Sequence, residues 1–320
     1  MIQLLRHHEI DQTRWANCLA RAYQPLVYAQ AWYLDVVCGN NWEALVEIQG
    51  EAYVSVFPLP VKTLLVQKRV YQPLFTQQLG LITTPASQET TIEDYLALLP
   101  SSYAAVQYQL PWPTALPVTL PEPWHWRFRP NYELSLAPAY PDIQQQYSIN
   151  LRRNLQKTAA TSLKVGKIDS IDALLSLFQR TKGRELPELR PRHYQKLEQL
   201  HQAAQRQGVG QVYEVRQEEE LLAAAFVLHT PHRVTFLFGA SSLEGRRRNA
   251  IAFLLDQIIR QEAGSGKTFD FEGSEVPGVA KFYSGFGAQP VPYLSLSLQS
   301  KRTTVQWTLN VFTSLAKRLR

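Results

Sequence analysis

The chain has little cysteine and no long hydrophobic run, which argues against a disulfide-stabilised protein and against a membrane-spanning one. Only Cys18 and Cys38 are present among 320 residues, without CxxC spacing or a histidine cluster beside them. We therefore expect two reduced thiols, no disulfide framework and no metal site. The longest apolar run, Leu221–Leu228, is far shorter than the roughly 20 residues that a membrane-spanning helix needs. The N-terminus has no signal-peptide pattern, so we expect a cytoplasmic protein.

The chain also lacks several catalytic signatures. It contains no G-x-S-x-G, no H-E-x-x-H and no kinase motif set. The segment Gly264–Thr268 ends like a P-loop, but Gln261 stands where the first glycine is needed. A predicted helix precedes this segment, whereas a P-loop follows a strand. We interpret the segment as a helix stop before a strand.

Charge is distributed unevenly along the chain. Residues 1–140 contain 8 basic and 11 acidic residues, and residues 141–320 contain 25 and 16, so the halves carry −3 and +9. A basic second half favours anionic ligands such as CoA, tRNA, nucleotide-linked or phospholipid-like substrates. The alternative is ordinary solvated charge. No module for sequence-specific nucleic-acid recognition is present.

A proline-rich stretch divides the chain. Eight prolines lie between Leu110 and Pro141, which limits both helix and central strand. We predict one domain over residues 1–140, a second over 141–300, and an amphipathic C-terminal helix over 301–320. The apolar side of that helix carries Val305, Leu309, Phe312, Ala316 and Leu319. It can pack back on the protein or contact an anionic membrane surface.

The second half shows clear periodicity. Its pattern predicts helices over 151–161, 171–181 and 192–207, followed by strands over 211–216, 221–229 and 233–240 in two antiparallel hairpins. A polar loop over 241–249 leads into a helix over 250–262, which has one continuous apolar stripe. A strand over 268–272 completes a right-handed βαβ crossover with parallel strands.

The crossover suggests a phosphate site at the start of the 250–262 helix. Free peptide N–H groups and the helix dipole attract anions there, and nearby arginines would add charge-assisted hydrogen bonds. The candidate donor-binding residues are Gly239, Ala240, Arg246, Arg247, Arg248 and Asn249. The alternative is a solvated basic loop.

Candidate catalytic residues follow the last strand of the crossover. Asp270 and Glu272 are two residues apart in the predicted strand, which would place them on one face, where one could deprotonate or orient an attacking amine. Tyr283 could protonate a departing thiolate, and Lys281 could stabilise developing negative charge. The alternatives are carboxylates that hold the following loop, and a buried tyrosine hydroxyl without a catalytic duty.

A second set of basic residues lies on the predicted helix over 151–161. Arg152, Arg153 and Lys157 recur on one surface of this helix. Such residues can bind substrate phosphates, or they can form a solvated face.

Residues 141–300 resemble the acetyltransferase domain of FemAB-like proteins, also called BioF2-like, in the GNAT superfamily. The basic helix from Leu151 to Lys157, the strand Val234–Ala240, the helix 250–262 and the segment Phe269–Gly287 carry the resemblance. It implies an α+β fold with two GNAT-like domains and mixed sheets. It also implies an acyl or aminoacyl donor, an amine acceptor, and acyl-CoA as a co-substrate in place of a tightly bound cofactor.

Three functions remain compatible with these observations. The first is N-acyl transfer from a thioester donor to an amine. The second is aminoacyl transfer from tRNA to a cell-wall precursor or lipid, with Arg152, Arg153 and Lys157 holding the tRNA. The third is a non-catalytic binding protein on the same fold.

Overall fold

The computed structural model describes residues 1–23, 25–64, 66–99, 103–111, 124–186 and 188–299. Over these residues the chain forms two compact units, each built on its own mixed sheet. Of the described residues, the first unit takes Met1–Arg129 and the chain from Pro292 to Gln299, and the second takes Pro130–Val291. The α+β class with two mixed sheets is as predicted.

The first unit is organised around an eight-stranded sheet with the order β1-β2-β3-β4-β6-β15-β7, in which β5 pairs with β3. All pairs are antiparallel except β4 with β6. Its elements are β1 (Ile2–Arg6), α1 (Gln12–Ala20), α2 (Ala31–Cys38), β2 (Trp42–Gln49), β3 (Ala52–Leu64), β4 (Gln67–Val70), β5 (Ile82–Thr83), α3 (Ile92–Ala97), β6 (Tyr103–Leu110), β7 (Trp124–Arg129) and β15 (Tyr293–Gln299).

The second unit has a seven-stranded sheet with the order β14-β8-β13-β12-β11-β10-β9. Its elements are β8 (Tyr132–Ser135), α4 (Tyr140–Gln145), α5 (Ile149–Ala159), β9 (Lys164–Ile168), α6 (Asp172–Arg180), α7 (Pro191–Arg206), β10 (Gly210–Gln217), β11 (Glu220–His229), β12 (Arg233–Ser241), α8 (Leu243–Arg247), α9 (Ala250–Glu262), β13 (Thr268–Asp270), α10 (Pro277–Ser284) and β14 (Gln289–Pro290).

The core of the second unit forms where α9 packs on the sheet. The apolar stripe of α9 is buried, including Leu254, Leu255 and Ile258. It lies in one cluster with Val234 of β12 and Phe269 of β13, both fully buried. The predicted helix over 250–262 and the two predicted hairpins are therefore present, and β12 and β13 run parallel as expected.

The domain bounds differ from the predicted ones. The second unit begins at Pro130 instead of near residue 140, because β8 pairs with β13 in the second sheet. Strand β15, which was assigned to a second domain over 141–300, pairs with β6 and β7 of the first unit. The predicted C-terminal helix over 301–320 lies outside the described residues.

The segment predicted as a polar loop over 241–249 contains the short helix α8. Ser242 caps this helix by accepting a hydrogen bond from the peptide N–H of Gly245 at 2.9 Å. Gly245 is buried, and a Cβ atom there would lie 2.0 Å from the carbonyl oxygen of Leu222 in β11. The glycine thus lets α8 pack directly on β11. The many charged residues of this segment predicted a polar loop and did not indicate this close packing.

In the described part of the chain, no helix is both long and apolar enough to cross a lipid bilayer.

Candidate active site

The parallel strands β12 and β13 separate soon after they meet. They pair only through Arg233, Val234 and Thr235 of β12, whereas β12 continues to Ser241. Within the described residues, the later part of β12 has a strand partner only on its β11 side. A β-bulge at Leu237 interrupts that pairing, because Phe238 faces Phe226 and Phe236 faces Val227. The result is an opening in the sheet beside peptide groups that have no strand partner on that side among the described residues, and α/β sheets commonly bind ligands at such openings.

A kink after β13 creates this opening. The side chain of Asp270 accepts a hydrogen bond from the peptide N–H of Glu272 at 3.0 Å, and Glu272 adopts a left-handed conformation with φ of +47°. The chain then follows β8, since the N–H of Phe271 donates to the carbonyl of Tyr132 at 3.0 Å. The predicted strand over 268–272 therefore ends at Asp270, and the two carboxylates do not share one face of a strand.

Gly273 completes the kink. A Cβ atom at this position would lie 1.6 Å from the carbonyl oxygen of Pro130, which is the first residue of the second unit. Only glycine permits this close approach of two backbone segments.

An ion-pair network with one buried member, Asp270, and two partly buried members lies beneath the kink. One guanidinium nitrogen of Arg233 is 2.8 Å from Oδ2 of Asp270 and 2.7 Å from Oε1 of Glu133 in β8. The amide of Asn131 donates to Asp270 at 3.1 Å and to Glu133 at 3.2 Å. Both oxygens of Asp270 are thus occupied, and this geometry suits a positioning role better than that of a general base.

Burial and charge act in opposite directions on this network. Burial raises the pKa of Glu133 above its ordinary value, although Arg233 opposes the shift. Thr235 lies beside Asp270 in the strand register, is fully buried, and has no hydrogen-bond partner for its hydroxyl oxygen. Polar groups of this kind are costly in a core, so their presence at the opening indicates a functional region.

Helix α10 brings Tyr283 to the same region. Its ring packs 5.0 Å from that of Phe271, measured between centroids. Burial raises the pKa of Tyr283, and the neighbouring charges of Glu272 and Asp270 raise it further. Like an ordinary tyrosine, Tyr283 is protonated at neutral pH, so it carries a proton that it can donate. Lys281 is exposed to solvent in the last turn of α10.

The three arginines of the α8 segment have different surroundings. Arg248 is held by Glu244, with 2.6 Å between Nε and Oε1, and by the side chain of Gln217. Arg246 and Arg247 are exposed, and a guanidinium nitrogen of Arg247 lies 3.5 Å from Oε2 of Glu244. The structure therefore leaves Arg246 and Arg247 accessible for a ligand and gives Arg248 a structural contact.

The start of α9 lies beside these arginines. Its N-cap residue, Asn249, has a left-handed conformation, and its side chain does not cap the helix. The first peptide N–H groups of α9 therefore receive no hydrogen bond acceptor from the N-cap side chain. Because unpaired N–H groups attract negative charge, this end of the helix favours an anion.

The basic helix α5 adjoins the same junction. The hydroxyl of Thr158 donates to the carbonyl of Arg248 at 3.0 Å, and the amide of Asn154 approaches Oδ1 of Asn249 at 3.4 Å. The exposed side chains of α5 that were predicted to bind phosphate are Arg152, Arg153 and Lys157. Two basic segments that are about 90 residues apart in the sequence thus lie next to each other in space.

A separate cleft of about 530 Å³ lies between the end of α6 and the turn joining β10 to β11. Its lining includes Leu177, Arg180, Arg216, Glu220 and Ser242. The cleft is mixed in charge and reaches Ser242, the N-cap residue of α8, and no sequence pattern predicted it.

Sequence reasoning also missed Arg233, Glu133, Asn131 and Thr235. Asn131 is 139 residues away from Asp270 along the chain, so no local spacing links them. The single available signal was an arginine at the start of a predicted core strand, where charged side chains need a partner.

Comparison with known proteins shows a similarity for part of the second unit. Residues 146–279 match the family model described as acetyltransferase (GNAT) domain. This part of the second unit is therefore similar to GNAT acetyltransferase domains, in agreement with the resemblance to that superfamily. A comparison with curated proteins gave no match.

Solved structures extend the likeness to both units. The crystal structure of FemX is 12% identical, with 91% of this chain and 96% of that chain covered and a TM-score of 0.67. A tandem GNAT protein from the clavulanic acid biosynthesis pathway is 12% identical, with 95% and 100% covered and a TM-score of 0.53. The C-terminal domain of a proposed lysylphosphatidylglycerol synthetase from Agrobacterium fabrum is 14% identical, with 89% and 91% covered and a TM-score of 0.50. At these identities the likeness shows the fold, which is that of two GNAT-like domains.

Proposed function

We propose that this protein is an N-acyltransferase that moves an acyl group from a thioester donor to an amine. The observation that carries the proposal is the separation of β12 from β13 within a GNAT domain. An extended donor can lie along the free edge of β12 and accept hydrogen bonds from its peptide groups, including those near Gly239 and Ala240. Acyl-CoA is the donor that the family implies.

The donor phosphates would bind at the α8–α9 junction. The uncapped start of α9 supplies peptide N–H donors, and the exposed guanidinium groups of Arg246 and Arg247 supply positive charge. These features fit the pyrophosphate of CoA, because they lie directly after β12, along whose edge the extended part of the donor would lie.

The kink would hold the acceptor chemistry. The amine must lose a proton to attack the thioester carbonyl carbon, and Glu272 is the carboxylate assigned to accept it. When the tetrahedral intermediate collapses, the carbon–sulfur bond breaks and the thiolate takes a proton from Tyr283. Asp270 positions Glu272 by accepting a hydrogen bond from the peptide N–H of Glu272. Lys281 contributes positive charge from α10, the helix that follows the kink.

The donor site can be tested with calorimetric titration of CoA and acetyl-CoA. The double variant Arg246→Ala/Arg247→Ala spares the structural Arg248 and should weaken CoA binding about tenfold, since two charge-assisted contacts are lost. Arg206→Ala, at an exposed position in the last turn of α7, is the matched control and should leave binding unchanged. Equal CoA affinity in both variants would remove the proposed phosphate site.

Glu272→Gly separates strain from function. A non-glycine residue in the left-handed region is strained, so glycine should leave the free energy of unfolding unchanged or raise it by up to about 1 kcal/mol. Turnover should fall at least about hundredfold, because the proton acceptor is lost. Urea unfolding and a thiol-release assay measure the two effects. An active Glu272→Gly variant would exclude Glu272 as the base.

Aminoacyl transfer from tRNA is the second candidate, and the contact between α5 and the α8–α9 junction favours it. Together the two segments present five exposed cations, which are Arg152, Arg153, Lys157, Arg246 and Arg247. Filter binding of bulk tRNA at several salt concentrations tests this function. Binding that weakens with salt, and that Arg152→Gln/Arg153→Gln/Lys157→Gln weakens further, would support a tRNA donor.

A further inference from the structure

Two cations lie side by side on the hairpin that β3 and β4 form in the first unit. In the antiparallel register, Lys62 of β3 is directly opposite Arg69 of β4, so both side chains project from the same face of the sheet. Like charges placed opposite each other in this way destabilise a pair of strands. The hairpin is therefore less stable than it could be unless negative charge offsets the repulsion.

The surrounding chain supplies no such negative charge. No aspartate or glutamate occurs from Ala52 to Gln88, which includes both strands of the hairpin, and the neighbouring strand β6 contains none. Within the described residues, neither Lys62 nor Arg69 has an ion-pair partner, whereas Lys68, next to Arg69 in β4, is paired with Glu43. This local absence of acidic residues contrasts with the net charge of −3 over residues 1–140.

The guanidinium group of Arg69 is oriented but incompletely paired. One terminal nitrogen donates to Oε1 of Gln67 at 3.2 Å. The Nε atom is buried and has no hydrogen-bond partner among the described residues. Ala105 lies opposite Arg69 on β6, so the adjoining strand presents only a methyl group beside the guanidinium. A buried donor without an acceptor in the chain requires an acceptor from a bound ligand, ion or water.

The ammonium group of Lys62 is held close to this position. It lies over the ring of Tyr71, 4.5 Å from the ring centroid. This packing partly buries the ammonium group, and the burial lowers the pKa of Lys62, as does the charge of Arg69. The two positive charges are therefore close enough to interact, and the aromatic ring stabilises one of them in place.

We propose that Lys62 and Arg69 form a binding site for a phosphate group, either free or carried by a small molecule. Two adjacent positive charges match a dianion, and a phosphate monoester carries a charge of about −1.5 to −2 at neutral pH. Nε of Arg69 and the ammonium group of Lys62 donate charge-assisted hydrogen bonds to the phosphate oxygens. This site is independent of the acyl-transfer chemistry, since it consists of residues of the first unit alone.

Calorimetric titration with inorganic phosphate, pyrophosphate and ADP at constant ionic strength tests the site. The full-length Arg246→Ala/Arg247→Ala variant serves as the parent, which removes the contribution of the donor site proposed for the second unit. We expect saturable binding and a higher unfolding temperature, because the anion binds the folded state. Lys62→Gln and Arg69→Gln, each added to this parent, should weaken the binding about tenfold or more, since each removes one charge-assisted contact.

The matched control lies on another strand of the same unit. Arg6 is exposed at the end of β1, so Arg6→Gln removes the same charge and should leave the affinity unchanged. Circular dichroism establishes that each variant is folded.

The three anions also distinguish the sources of the phosphate group. Tighter binding of ADP than of inorganic phosphate supports a phosphate carried by a larger molecule, and equal affinities support recognition of the phosphate group alone. Absence of binding to all three anions, or binding that Lys62→Gln and Arg69→Gln leave unchanged, overturns the proposal. Binding of bulk RNA that both variants weaken, without binding of any of the three anions, assigns the pair to a polymer and also overturns it.

Discussion

Replacement of Arg233 by methionine is expected to destabilise the second unit by about 3–5 kcal/mol. Methionine keeps the volume of the aliphatic stem but removes the guanidinium group that joins Asp270 to Glu133. Asp270 has only 4% of its side chain exposed, so its charge is left without a compensating cation in a region of low dielectric constant. Urea unfolding at neutral pH measures the change in free energy.

The pH dependence of this loss has a defined sign. Burial already raises the pKa of Glu133, and removal of Arg233 raises it further because the arginine opposes the shift. A carboxyl group with a raised folded-state pKa destabilises the fold as pH rises through that pKa, and the penalty disappears in acid, where the group is protonated in both states. The difference between Arg233→Met and wild type should therefore be largest near neutral pH and shrink towards about pH 4.5.

Two further variants distinguish the effect of breaking the network from the effect of losing a positive charge anywhere in the second unit. Arg153→Met removes an exposed arginine from α5 and should change the free energy of unfolding by less than about 0.5 kcal/mol. Adding Glu133→Gln to Arg233→Met removes one of the two orphaned carboxylates and should recover part of the lost stability. An Arg233→Met variant as stable as Arg153→Met would contradict the assigned network.

The parts of the fold that sequence predicted are those that local patterns determine. The stripe of α9 and the hairpins of β10, β11 and β12 each follow from periodicity and turn residues within about 30 residues. The return of β15 to the first unit follows from pairing with β6 and β7, and β8 joins the second sheet through β13. Such pairings depend on register between distant strands, which no local period encodes.

The same distinction explains the candidate site. The sequence analysis selected the region after β13, because carboxylates and glycines stand together there. It predicted a continuous strand through Glu272, whereas the left-handed conformation of that residue ends β13 two residues earlier. A glutamate at positive φ contradicts local preference, so propensity could not predict it. The contradiction is informative, since strain of this kind is retained where surrounding contacts and function require it.

The two glycines of this segment should respond in opposite ways to alanine. At Gly273 a Cβ atom would meet the carbonyl oxygen of Pro130 at 1.6 Å, and a backbone atom cannot move aside as a side chain can. We expect Gly273→Ala to cost about 3 kcal/mol of stability by displacing the two backbone segments. Because the displaced residues include the kink that separates β13 from β12, turnover should also fall about hundredfold.

Gly278 is the matched control for this change. It lies on the exposed side of α10 within five residues of Gly273, and a Cβ atom there would meet no atom within 4 Å. Alanine has the higher helix propensity, so Gly278→Ala should be neutral or stabilising by up to about 1 kcal/mol, with activity retained. Thermal unfolding and thiol release compare the pair. If both variants were equally stable and active, the close contact of Gly273 with Pro130 would not control the opening between the strands. If only Gly273→Ala lost activity, the backbone contact that begins the second unit would determine the shape of the acyl-transfer site.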